Sequence, residues 1–131
     1  MFKVLFVASE ASPFIKTGGL GDVIYTLPKT LIENRIDARV IIPLYEKIKL
    51  ENLDKLEFIK DFPITLNKRK KNVGLFKIVY ENIIYYFIDN KLYFGCGEIY
   101  DDYGKDDKCE KHVFFNKAVL EAIKYIDFIP N

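Results

Sequence analysis

Charge of one sign, a long apolar run and a usable set of metal-binding side chains are all missing from this sequence. The 20 basic and 19 acidic residues leave a formal net charge of +1, so no long-range field draws the chain toward nucleic acid or an anionic membrane. The densest basic run, Lys68-Arg69-Lys70-Lys71, lies between two apolar stretches and reads as a solvated hairpin loop. There are two cysteines, Cys96 and Cys109; their spacing fits no zinc or redox motif, and free thiols in a reducing compartment follow. The single histidine, His112, has no second ligand or nucleophile in view and reads as a surface or half-buried structural residue. Asp101, Asp102, Asp106 and Asp107 are interleaved with Tyr and Gly without an EF-hand register. They read as a solvated loop, and no metal is expected. The first apolar run, Phe2 to Ala8, is too short to span a membrane and has neither the h-region nor the cleavage site of a secretory signal. Internal repeats and low-complexity linkers are absent as well.

What is present is apolar and aromatic. Of 131 residues, 50% are hydrophobic and 15% aromatic, enough for one domain or part of one and too few for two. Lys3 to Ala8 is nearly continuous and rich in branched or aromatic side chains, as in a parallel strand covered on both faces. A Gly- and Pro-bearing loop, Ser9 to Gly19, follows. Val23, Leu27 and Leu31 then recur at helical spacing. Pro28 falls inside that pattern and predicts one bent helix. Ala38 to Ile42 is a second strand stopped by Pro43, completing a βαβ unit of Rossmann type, and hence an α/β fold. The middle of the chain is different. Phe62 to Leu66, Val73 to Tyr80 and Ile83 to Ile88 are short β-rich runs, and the last two, separated by Glu81 and Asn82, predict an antiparallel hairpin. Lys111 to Ile126 alternates apolar and charged faces as a helix does. Ile126 to Asn131 then heads toward a further strand, so the sheet reads as unfinished. The first strand is expected near its centre.

The segment that carries chemistry is the loop from Ser9 to Val23, which joins the carboxyl end of the first strand to the first helix. In an open α/β sheet, ligands bind at that edge. Gly18 and Gly19 let backbone approach a ligand, the helix's first amides favour an anion, and Lys16 adds a mobile charge. Two better-known phosphate motifs are excluded. The glycines at 18, 19 and 21 do not fit G-x-G-x-x-G, and Lys-Thr-Gly-Gly reverses the order of a P-loop.

The ordered set Lys3 to Glu10, Pro13, Lys16-Thr17-Gly18-Gly19-Leu20-Gly21-Asp22-Val23, Leu27-Pro28-Lys29 and Asp37 to Pro43 resembles the opening of bacterial glycogen synthases and plant starch synthases. Tyr86-Phe87-Ile88-Asp89, the turn ending at Tyr100, and Phe114-Phe115-Asn116-Lys117-Ala118 resemble later parts of the same family's N-terminal domain. The resemblance implies a GT-B glycosyltransferase that moves glucose from ADP-glucose to an α-1,4-glucan with retention, with no cofactor and no metal. Residues 1 to 131 would be a partial N-terminal domain with a hairpin insertion, and the C-terminal nucleotide-binding domain would lie outside it. Carried over by position, Lys16 contacts ADP-glucose with help from the amides near Gly18 and Gly19, and Thr17 belongs to the same loop. Glu10, Asp22 and Tyr100 match family positions as secondary candidates. Glu10 and Asp22 fit hydrogen bonds to neighbouring amides as well as they fit substrate, and Tyr100 is as well explained as a packed loop anchor as by stacking on a sugar.

The family's next motif, which brings a histidine to the transferred glucose, and the catalytic residues of the second domain are not in the sequence, so no catalytic residue is expected here and no turnover by this chain alone. Lys111 and His112 depart from the family's Arg-aromatic pair, and Leu53 to Lys71 follows no family pattern. No transit peptide precedes the first strand, which points to a bacterial cytoplasm. Two other readings stay open: a non-catalytic nucleotide-binding module, and a dinucleotide oxidoreductase. The second would want an acidic residue ending the second strand, where this sequence has Ile41-Ile42-Pro43.

Overall fold

The computed structural model describes residues 1–95 and 107–131. In chain order the elements are β1 (Lys3–Val7), α1 (Gly19–Glu33), β2 (Asp37–Pro43), α2 (Glu46–Glu51), β3 (Glu57–Leu66), β4 (Arg69–Tyr80), β5 (Ile83–Asp89), α3 (Lys91–Phe94) and α4 (Asp107–Ala122), with a 3-10 turn at Ile123–Tyr125. The five strands form one sheet in the order β1-β2-β5-β4-β3. β1, β2 and β5 are parallel, and β4 runs antiparallel to both β5 and β3. The predicted βαβ unit and the predicted hairpin are therefore both present. Because β5 pairs directly with β2, the hairpin is built into the main sheet.

β2 sits between two parallel neighbours and is covered on both faces. Val40, Ile41 and Ile42 are all fully buried, which is why this stretch reads as a continuous apolar run with no alternation. Period-two geometry then sorts the sheet into two faces. Tyr85, Phe87, Ile78 and Phe76 share the face of α1, where Phe14 packs edge-on against Tyr85 and Phe87 at 4.8 and 5.2 Å between ring centroids. Arg39, Tyr86, Val73 and Phe62 share the other face, which carries the chain's last turns. There Phe62 stacks on Tyr125 at 4.9 Å, and the Arg39 guanidinium lies 4.2 Å from the centre of the Phe128 ring. Arg39 also donates to Asp37 and to the Tyr86 hydroxyl, so this half-buried cation is both paired and stacked.

Several sequence expectations are corrected. Among the described residues β1 is an edge strand, not a central one: it pairs with β2 alone. Asn131 also bonds to β1, its N–H donating to the Lys3 carbonyl at 3.0 Å and its Oδ1 accepting from Lys3 N–H at 2.7 Å. The basic run is mostly strand. Asn67 and Lys68 make the turn, while Arg69, Lys70 and Lys71 open β4 opposite Leu66, Thr65 and Ile64. β3 begins at Glu57, five residues earlier than Phe62, across an irregularity in register between Phe58 and Lys60; that break hid its alternation. α2 was not anticipated, and α4 ends at Ala122, short of Ile126. The expected single helix through Pro28 is present as α1.

Both hairpin turns place two non-glycine residues at positive φ: Asn67 and Lys68 at 50° and 63°, and Glu81 and Asn82 at 48° and 68°. This is the signature of two-residue type I′ turns, which match the twist of the strands and favour Asn-Gly. Lysine in the left-handed region costs about 1–2 kcal/mol, part of which glycine returns as extra freedom in the unfolded chain. Lys68→Gly should therefore stabilise the chain by about 0.5–1 kcal/mol, seen as a rise in Tm of about 2–5 °C. An unchanged or lower Tm would show that the turn is not strained.

Candidate functional site

The loop between β1 and α1 is a packed object. Ala11 and Ile15 exchange two backbone hydrogen bonds at 3.0 Å, and Ser12 N–H donates to the Gly21 carbonyl at 3.0 Å. From beneath, two tyrosines hold it by its carbonyls: Tyr45 donates its hydroxyl to Ser9 O at 2.8 Å and Tyr85 donates to Ser12 O at 3.1 Å. Burial pushes the Tyr85 hydroxyl well above its ordinary pKa, so it stays a donor throughout the physiological range. Phe14 turns down into the core at 8% exposure, a burial worth about 2–3 kcal/mol. Buried Lys111, the departure from the family pattern, lies 5.8 Å from the Tyr45 ring.

Inside the loop lies Glu10, 1% exposed. Its Oε2 accepts from the Thr17 hydroxyl at 2.6 Å, and its Oε1 accepts from Gly21 N–H at 2.8 Å and Gly18 N–H at 3.2 Å. Gly18 is the N-cap of α1 and has no side chain to do that work, so the carboxylate caps the helix from a distance in sequence. Desolvation raises the pKa of this carboxyl. The hydrogen bonds from the Thr17 side chain and from the amides of Gly21, Gly18 and Thr17 outweigh it and hold the group below its ordinary value of 4.5. The sign follows: Glu10's contribution to stability is complete above that value and is lost as pH falls through the depressed one.

Lys16 stands outside, half-exposed, with its ammonium 2.9 Å from Asp22 Oδ2. An exposed pair of this kind is worth at most about 1 kcal/mol and yields readily to a competing anion. Gly18 and Gly19 have open space where side chains would be, with nothing within 4 Å of an added Cβ. Neither their backbone angles nor any packing against protein demands glycine. Gly21 is different, since a Cβ there would meet Lys16 Cγ at 3.0 Å, Lys16 Cβ at 3.1 Å and Glu10 Oε1 at 3.2 Å. The structure thus brings Glu10, Lys16, Thr17, Gly18, Gly19 and Asp22 into one constellation at the carboxyl edge of β1. It assigns Glu10 to the interior and leaves Lys16 and the glycine pair facing out. Tyr100, Cys96, Asp101, Asp102 and Asp106 lie outside the described residues. His112 is half-buried on α4. Among the described residues no group of His, Cys, Asp and Glu could hold a metal ion, and no helix is long and apolar enough to cross a membrane.

A family model for the starch synthase catalytic domain matches residues 3–131. The chain belongs to the starch synthase catalytic domain family. It is 48% identical over 131 residues to the glycogen synthase of Clostridium perfringens (strain 13 / Type A), covering 100% of this chain and 27% of that protein. It is 41% identical over 129 residues to the glycogen synthase of Streptococcus pneumoniae (strain CGSP14), covering 98% of this chain and 26% of that one. The chain therefore spans about a quarter of the length of these curated relatives. Its fold matches the catalytic domain of starch synthase IV from Arabidopsis thaliana, solved bound to ADP and acarbose, with a TM-score of 0.77 at 22% identity over 99% of this chain and 27% of that chain. The architecture is that of the N-terminal part of this GT-B family.

Phe14, Tyr45 and Tyr85 were not legible as site residues. An aromatic inside a Gly- and Pro-rich loop was the available signal for Phe14; Tyr85 offered none, because its partner is a carbonyl 73 residues away. The glycines separate cleanly in a folding experiment. Gly19→Ala should leave Tm within about 2 °C of the parent or raise it, since alanine favours the helix. Gly21→Ala should lower it, because overpacking of about 1–3 kcal/mol exceeds a helix gain of about 1 kcal/mol. Equal Tm changes for the two variants would contradict this geometry.

Proposed function

We propose that this chain is the N-terminal part of a glycogen synthase, a retaining glucosyltransferase that carries glucose from ADP-glucose to the non-reducing end of an α-1,4-glucan in a bacterial cytoplasm. The observation that carries the reading is the outward face of the loop: a mobile ammonium beside two glycines whose side-chain space is open, at the edge of the sheet where ligands bind. Family membership and glycogen synthases as relatives support it, as does a fold neighbour bound to ADP and acarbose. In this reading a second, nucleotide-binding domain faces the loop across a cleft. Lys16 and the amides near Gly18 and Gly19 meet the diphosphate as the glycosidic bond breaks, without a metal or cofactor. Asp22, which holds the ammonium between turnovers, and Thr17 serve the same loop, and Tyr100 is a secondary candidate for a contact with a sugar ring. The family's catalytic side chains belong to other segments, so the chain alone is inactive.

Charge grows on the leaving diphosphate in the transition state, so a contact from Lys16 belongs in the rate constant more than in ground-state binding. The test is a chimera in which residues 1–131 replace the matching segment of the Clostridium perfringens glycogen synthase. It should transfer glucose from ADP-glucose to glycogen, while the isolated chain does not. Lys16→Ala in the chimera should lose on the order of tenfold to a hundredfold in kcat/KM for ADP-glucose, the equivalent of about 1.5–3 kcal/mol for one charge-assisted contact. Lys16→Arg should recover only part of it, since a planar fork does not fit the place of a compact ammonium. A folded chimera without transfer, or a Lys16→Ala chimera with intact ADP-glucose kinetics and a lower Tm, would overturn the assignment.

A further inference from the structure

The loop holds a second charged side chain that its outward face does not use. Glu10 is 1% exposed and both its oxygens are occupied, so no ligand can reach it. Its three partners, Thr17, Gly18 and Gly21, begin immediately after Lys16 and close on the far side of the glycine pair. The stem of Lys16 also lies against Gly21, closer than a side chain there would allow. One carboxylate therefore ties down the residue after Lys16 and the residue beneath it. By taking the amides of Gly18 and Gly21 at the positive end of α1, it leaves the amides of Gly19 and Leu20 without a protein acceptor among the described residues. An incoming anion is thus directed to Lys16 and to those two amides, away from the helix axis that Glu10 already fills.

We propose that Glu10 is a positioning residue: acting only through Thr17, Gly18 and Gly21, it fixes where the Lys16 ammonium and the free amides of Gly19 and Leu20 stand to receive a sugar diphosphate. The proposal rests on the reading of this loop as the sugar-donor surface. The variants separate charge from shape. In Glu10→Gln, the amide oxygen can still accept from Gly18 and Gly21, and the amide NH2 can donate to the Thr17 hydroxyl, so the geometry survives while the charge is lost. Glu10→Ala removes all three anchors. Among the described residues, the titratable groups near the loop are Lys16 and Asp22 on its outer side, Tyr45 and Tyr85 beneath it, Tyr80 against Phe14, and Glu51 and Lys55 in the pocket beside Pro13 and Phe14. None of them forms an ion pair with Glu10.

Two measurements test this. In the isotope-labelled 131-residue chain, the amide protons of Gly18 and Gly21 should move together as pH is lowered, with one midpoint below the ordinary glutamate value, and should not titrate in Glu10→Gln. In the chimera, Glu10→Ala should lower kcat/KM for ADP-glucose at least tenfold with the glucan KM changed less than twofold, and Glu10→Gln should recover most of that loss. Added to Lys16→Ala, Glu10→Ala should cost less than threefold more, because both act through the same ammonium. Additive losses, an equal rise in the glucan KM, or no rescue by glutamine in a folded protein would overturn the positioning role. If the chimera is active and Glu10→Ala is neutral, the positioning role fails while the glucosyl-transfer reading stands. If the chimera is inert while the two amides titrate as stated, the carboxylate contact stands and the transfer reading fails, and with it the role assigned to Glu10.

Discussion

A carboxylate with almost no access to water has to be surrounded by donors, and in this chain that requirement shapes the site. Leaving Glu10 ionised and unpaired in the interior would cost several kcal/mol. The donors near enough to prevent that are the Thr17 hydroxyl and the first amides of α1. The same amides would otherwise be orphans of the helix end, so two deficits cancel. The consequence is geometric. The chain from Thr17 to Gly21 wraps one side chain, and Lys16, the residue just before the wrap, is left pointing outward. Phe14 in the core, and Tyr45 and Tyr85 gripping the carbonyls of Ser9 and Ser12, hold the other half of the loop. What faces solvent is a mobile cation over a bare, rigid backbone.

Much of this was legible in the residues taken in order, and the remainder was hidden for identifiable reasons. A continuous apolar run marked β2 because a parallel strand is covered on both faces; the similar run at β1 marked a strand whose residues are only half-buried, with Val7 exposed. Two residues between β-rich runs marked the β4–β5 turn. What local pattern does not encode is which strands become neighbours. β2 takes as its second partner β5, which arrives more than 40 residues later, and among the described residues β1 is left at the edge. Likewise β3 was half-hidden by the irregularity between Phe58 and Lys60, which throws its alternation out of phase. The site followed the same division. Lys16, Gly18, Gly19 and Glu10 stood out because they are close in sequence. Within that segment, only coordinates could tell Glu10, buried and committed, from Lys16, half-exposed and paired with Asp22.

The charge count of this surface also bears on the proposed reading, in which it forms one half of a site. The loop and first turn of α1 carry two carboxylates, Glu10 and Asp22, against one ammonium, Lys16, so the side chains sum to minus one. Two outward amides at a helix end offset roughly half a charge. An ADP-like dianion gains little by resting here alone, since Lys16 must first leave Asp22 and the buried carboxylate repels at short range. In the proposed reading, strong ground-state binding therefore has to come from cations on another part of the polypeptide facing this edge. A weak initial hold suits a group whose work comes later. In that reading, as the bond to the sugar breaks and negative charge concentrates on the leaving phosphate, the exchange of Asp22 for phosphate at Lys16 becomes increasingly favourable. The amides need no reorganisation to follow it. An arrangement that is nearly neutral toward the resting ligand and attractive toward the developing anion lowers the barrier without deepening the well before it.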